Sequence, residues 1–264
     1  MSQSDRDAGA LRGELPSADS VMGGGPKSVR IWFWGLAAAI LAGLIGWGGG
    51  EVITPFFTSA ERPRDPEQSG QYSASYAQFL ATSRDVSLVW GLTGALLGLG
   101  LGLAGAIAFR RPRSAAVASA VGALAGAILG GLPSLIAFPR YWDYKVANST
   151  NDEIILSLAI HAVSWCPVGL AGGMAFGLGS GGAAHAAKAA LGGLIGAMLG
   201  VFIYELLGAF VLPYDAVASQ AVPEASYARL IGTLVSTVGA SVGVILILMS
   251  RPSPNSAPLP AASP

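Results

Sequence analysis

At 264 residues the chain has the length of one or two soluble domains, yet 52% of its residues are apolar and only 11% are charged, against about 25% charged in an ordinary soluble protein. So little charge cannot cover a water-facing surface, which excludes a soluble globular protein and leaves lipid as the solvent. The formal net charge is zero, which gives no overall attraction to nucleic acid, and the single cysteine, Cys166, excludes an intrachain disulfide.

Residues 1–30 are polar, rich in Gly, Ser and Asp, and read as a disordered tail. Apolar runs then follow at about 31–52, 86–109, 115–138, 154–179, 189–212 and 230–250. Each approaches or exceeds the roughly 20 residues that carry a helix across a hydrocarbon core of about 30 Å. Unpaired backbone groups are too costly in lipid for any other open structure. Residues 31–250 are therefore expected to form an all-α membrane domain of about six transmembrane helices. Pro133 and Pro167 fall inside the third and fourth runs, and His161, Trp165 and Cys166 interrupt the fourth. Residues 251–264 are proline-rich and read as a second disordered tail.

Thr58-Ser59-Ala60 offers a weak cleavage signal after the first run. That run is long for a secretory signal and its preceding tail is longer still, so it reads as an uncleaved span. Arg110, Arg111 and Arg113 crowd the short link between the second and third spans, and Lys27 and Arg30 precede the first. The positive-inside rule places both groups, and hence both termini, in the cytoplasm, most simply at a plasma (inner) membrane. External loops are expected at about 53–85, 139–153 and 213–229, with Arg62, Arg64, Arg84, Arg140, Lys145 and Arg229 diluted there by acids. In the first of them Tyr72, Tyr76, Phe79 and Leu80 share one face of a short helix, suited to lie on the membrane surface or to pack on the bundle. Asn148-Ser149-Thr150 in the second matches a glycosylation pattern.

Small residues recur four apart in every span: Ala42/Gly46/Gly50, Gly94/Gly98/Gly102, Gly122/Gly126/Gly130, Gly169/Gly173/Gly177, Gly192/Gly196/Gly200 and, more loosely, Gly232/Ser236/Ala240. On a helix this spacing lines one face, so a second backbone can come close and gain dispersion contact. The faces are candidates for packing within the bundle and for self-association. Ala120–Gly130 (AVGALAGAILG) aligns with Ala190–Gly200 (ALGGLIGAMLG), and Gly43-Leu44-Ile45-Gly46 recurs as Gly193-Leu194-Ile195-Gly196. Gly91-Leu92-Thr93-Gly94 resembles Gly169-Leu170-Ala171-Gly172, and Ala74–Ala77 matches Ala225–Ala228. Three copies of a helical hairpin account for these echoes; convergent low complexity accounts for them equally well.

Gly100-x-Gly102-x-x-Gly105 and Gly177-x-Gly179-x-x-Gly182 fit a nucleotide-binding fingerprint on paper. That motif needs a strand turning into a helix, and these lie in or at the end of apolar spans, so no cofactor is implied. No P-loop, zinc-protease helix, kinase set or nucleophile elbow is present, and the histidines and cysteine have no zinc-site spacing.

Ionisable groups at membrane depth are costly and mark either function or a partner. Glu205 falls roughly 24 Å into the fifth span, and His161 enters the fourth from the opposite side by about 10 Å, at 1.5 Å per residue. On antiparallel neighbours the two reach similar depth; a hydrogen bond between them would offset their burial and make a proton-responsive pair. Glu51 marks the outer end of the first span, and Tyr204, Ser164, Trp165 and Cys166 are close in sequence to the pair. The plain alternatives are a snorkelling Glu205, a His161 bonded to a carbonyl, and a boundary Glu51. Trp32, Phe33 and Trp34 mark the inner interface, and Phe56, Phe57, Tyr141, Trp142, Tyr144 and Tyr214 the outer.

The glycine faces favour a non-enzymatic membrane component built by close helix packing, partnered by the bilayer. The alternative is a small-solute or proton-coupled transporter using Glu205 and His161. An intramembrane enzyme built on Cys166 or His161 lacks the further catalytic partners it would need.

Overall fold

A computed structural model describes residues 26–60, 71–147, 154–211 and 225–250. Among them the helices are α1 (Pro26–Ala60), α2 (Gln71–Ala108), α3 (Pro112–Ala147), α4 (Ile154–Gly181), α5 (Ala183–Phe210) and α6 (Ser226–Met249). All six are long and apolar enough to cross a membrane. The protein is an all-α, six-helix membrane protein.

The helices overrun the apolar runs, because hydropathy reports where lipid begins while helical hydrogen bonding continues beyond it. α1 starts at Pro26, within the segment assigned to the tail, and continues through Thr58-Ser59-Ala60. α2 starts at Gln71, so Tyr72, Tyr76, Phe79 and Leu80 belong to a helix continuous with the second span, not to a separate surface helix. α3 continues through Pro133 and Pro139 to Ala147, and α4 through Pro167. Much of what the sequence assigns to external loops is thus helix. Residues 1–25, Asn148-Ser149-Thr150, Tyr214 and 251–264 lie outside the described residues.

The helices form a ring in chain order, each packed on the next, and α6 closes it against α1. α4 also packs across the ring on α2 and α6. α2 and α4 are the inner helices: 50% of the most apolar stretch of each is buried, against 22% for α3. Leu97, Leu101, Val168 and Phe176 are fully buried between them. Leu41, Leu124, Ile128, Leu199 and Phe202 point outward and are exposed, as a lipid-facing surface requires.

Three of the interfaces are ladders of backbone on backbone. Between α2 and α3, Gly94 faces Gly126, Gly98 faces Gly122 and Gly102 faces Ala118, while Gly130 sits on the Trp90 carbonyl. Between α4 and α5, Gly169 meets Gly193, Gly173 meets Ala189 and Gly177 meets Ala186. Between α5 and α6, Gly192 meets Gly243, Gly196 meets Gly239 and Gly200 meets Val235 and Ser236. A Cβ on any of these glycines would strike a neighbouring backbone, which cannot swing aside as a side chain can. All meet helices of the same chain, and all but Gly239 and Gly243 of α6, which are half-buried, are buried there. The two stripes most alike in sequence are used differently: Gly122/Gly126/Gly130 packs back on α2, and Gly192/Gly196/Gly200 packs forward on α6.

Two short turns join helices at the end of the bundle where α1 begins. Arg110, at φ 55, ends α2 in the left-handed conformation, with Arg111 N–H donating to the Ala106 carbonyl at 2.8 Å and Arg110 N–H to Ile107 at 3.1 Å. This is the six-to-one and five-to-two pattern of a Schellman cap, a position normally given to glycine. Gly182, at φ 93, is the only residue between α4 and α5, and its missing Cβ permits that reversal.

Candidate functional site

At the opposite end the helices part around a cavity of about 110 Å³. α1 contributes Trp47 and Glu51, α2 contributes Asp85 and Trp90, and α4 contributes His161 and Trp165. Tyr204 of α5 and Arg229, Thr233 and Ser236 of α6 complete the polar part of the wall. Five of the six helices therefore converge on one space, and the side chains that hold them apart are large.

The structure brings His161 and Glu205 together: His161 Nδ1 and Glu205 Oε1 share a hydrogen bond, donated by whichever atom carries the proton. The Ser157 hydroxyl donates to the same Glu205 oxygen at 3.3 Å. His161 is 6% exposed at its side chain and Glu205 13%, so their contact offsets burial that neither would bear alone. The His161 ring also meets the Tyr204 ring edge-on, with centroids 5.8 Å apart. Snorkelling is thus not the geometry of Glu205.

Glu51 lines the same cavity and is held by Arg229, whose Nε and Nη2 donate to its two carboxylate oxygens at 2.9 Å each. Such a two-pronged pair fixes both position and orientation. Its side chains are 28–29% exposed, so this pair lies nearer the mouth than His161 and Glu205. Trp47 Nε1 donates to the Ser226 carbonyl at 3.2 Å and tethers α1 to the start of α6 beside it.

Asp85 and Arg229 are the site residues that the sequence reading leaves among the loops. Asp85 is 1% exposed. Each lies one residue outside an apolar run, and the charge itself ends the run. Cys166 is half-buried and does not line the cavity. Ser164 instead donates to the Ile160 carbonyl of its own helix at 2.8 Å, as Thr93 and Ser134 do in theirs. Hydroxyls satisfied in this way are structural. Both glycine fingerprints are helical or lie at the α4–α5 turn, with no strand among the described residues. No group of three metal-ligating side chains forms among them either. No protein-family model, curated protein or solved structure matches the chain.

Proposed function

We propose that this protein is a proton-linked carrier for a small solute, non-enzymatic and embedded in the plasma (inner) membrane with both termini cytoplasmic. The observation that carries the reading is the convergence of Glu51, Asp85, His161, Glu205 and Arg229 at one end of an otherwise apolar bundle. A bundle that only packs has no use for such groups, each of which is expensive at membrane depth. The end without the cavity bears Lys27, Arg30, Arg110, Arg111, Arg113 and Lys188, which supports placing it in the cytoplasm. The cavity then opens outward.

His161 and Glu205 can hold one shared proton, and His161, which lines the cavity, can pass that proton to it and leave a neutral imidazole beside a carboxylate. Glu51 and Arg229 act at the mouth, where their pairing admits or excludes charge. The glycine ladders form the closed inner half, and carriage requires them to part in a second state.

The test is proton flux into vesicles containing the purified protein. Glu205→Gln is expected to lower flux at least tenfold while the protein stays monodisperse. Flux unchanged by that substitution would sink the carrier. A second reading, a purely structural component, is favoured by the three ladders; under it Glu205→Gln has no effect on any function.

A further inference from the structure

We infer that the α2–α3 turn binds an anionic phospholipid carrying two phosphate groups, at the membrane face where α1 begins. The inference stands apart from the carrier reading and needs only that the six helices cross a bilayer.

Charge is the first observation. Arg110, Arg111 and Arg113 are all exposed, and with Pro112 and Ser114 they line one shallow surface recess. No ion pair or side-chain hydrogen bond engages their guanidiniums among the described residues. The acidic positions among those residues, Glu51, Asp85, Asp143 and Glu205, all fall in the opposite half of their helices. Like charges held this close repel one another, and a bound anion relieves them. Guanidinium also suits phosphate in particular, because its planar fork donates to two oxygens at once. Three such cations in one recess exceed what a single phosphodiester neutralises, which selects a headgroup with two.

Depth is the second observation, and it points to a lipid as the source of the phosphate. Ile107, just before the turn, and Val117, one helical turn after Arg113, are apolar side chains exposed on the lipid-facing surface. At 1.5 Å per residue the arginines therefore stand about 5–6 Å beyond the last lipid-facing side chain of either helix. The headgroup band on each side of the hydrocarbon is also roughly 5–7 Å deep. Lipid phosphates already lie at the level of the recess, and basic recesses between helices at a membrane face suit multiply charged headgroups.

The third observation is that the recess is built before any ligand arrives. Arg111 N–H donates to the Ala106 carbonyl at 2.8 Å, and Ser114 N–H to the Arg111 carbonyl at 3.1 Å. The Ser114 hydroxyl is shared between the Arg111 carbonyl at 2.9 Å and the Gly179 carbonyl of α4 at 3.0 Å. The turn is thus tied to its own helices and to the end of α4, so binding has little backbone left to order. Arg110 holds the left-handed position that glycine would take without strain, and in exchange a third guanidinium joins the recess.

The experiment titrates the full chain, purified in detergent, with cardiolipin, phosphatidylglycerol, phosphatidylcholine and inorganic pyrophosphate, and counts bound molecules by native mass spectrometry. Cardiolipin, with two phosphodiesters, is expected to bind saturably at one per chain and at least tenfold more tightly than phosphatidylglycerol, with one. Arg110→Gln, Arg111→Gln and Arg113→Gln together should weaken cardiolipin at least tenfold. Arg111→Gln with Arg113→Gln, which leaves the cap at Arg110 in place, should weaken it about fivefold and decides the matter if the triple variant does not fold. Lys188→Gln, at the same end of the bundle but outside the recess, should leave it unchanged. Cardiolipin binding that survives the arginine substitutions, or falls equally with Lys188→Gln, reduces the cluster to a topology signal and overturns the inference. Phosphatidylglycerol or phosphatidylcholine binding as tightly as cardiolipin overturns the two-phosphate headgroup. Displacement of cardiolipin by an equal concentration of pyrophosphate makes the recess a site for soluble phosphate and overturns the lipid.

Discussion

At the end of the bundle where α1 begins, helices meet through their backbones; at the other end, the same helices are held apart by tryptophan and tyrosine. α2 carries Gly94, Gly98 and Gly102 in one half, and Asp85 and Trp90 in the other. α5 runs from Gly192, Gly196 and Gly200 into Tyr204 and Glu205. The change from small to large along one helix sets how far apart the chains stand, and so where polar groups can be housed. In lipid, where no hydrophobic force draws helices together, contact area must come from close fit. The ladders supply that fit.

The comparison can be broken first at the ladders. Gly126→Leu would drive a side chain into the Gly94 carbonyl on the facing backbone. A loss of about 3 kcal/mol or more is expected from overpacking that no rotamer relieves, read as collapse of the monodisperse species in detergent. Tolerance of leucine there would mean that the two halves do not differ in kind.

A smaller effect is expected at the mouth. Removing Arg229 leaves Glu51 partly buried without its two donors, at a cost of about 1–2 kcal/mol. In a double-mutant cycle with Glu51→Gln and Arg229→Gln, thermal unfolding should show a coupling of about 1 kcal/mol. Strict additivity would mean the pair contributes nothing at this end.

Least is expected at the α2–α3 turn. Arg110→Gly relieves a left-handed residue and should stabilise the fold by about 1 kcal/mol, measured by the same unfolding. It should also remove one of the cationic side chains that anchor this end, so insertion assays should show a modest fall in orientation bias.

The sequence reveals the ladder half almost directly. A spacing of four on a helix defines a face whatever its neighbour, so Gly94, Gly98 and Gly102 can be read as a packing stripe without knowing that α3 receives them. The neighbour is not legible: Ala120–Gly130 and Ala190–Gly200 are nearly the same segment, yet one faces backward along the chain and the other forward. His161 and Glu205 stand out because each interrupts an apolar run. Asp85 and Arg229 do not, because charges at the ends of runs look like the beginnings of loops. Glu51 is visible alone, but its partner lies 178 residues away in sequence, and only the closure of α6 on α1 brings them together.

The backbone-to-backbone ladders also fix where voltage falls. In the proposed orientation a cavity open at one end would lie near the potential of the outer solution, and most of the transmembrane field would drop across the tightly packed half. A charge held by Asp85 or His161 then feels little of that field at rest, whereas delivering it past the ladders would move it through most of the drop, about 2.3 kcal/mol per elementary charge per 100 mV. In the proposed carrier, the glycines that bring the helices together would thus make the inward step, rather than binding, the one that membrane potential drives.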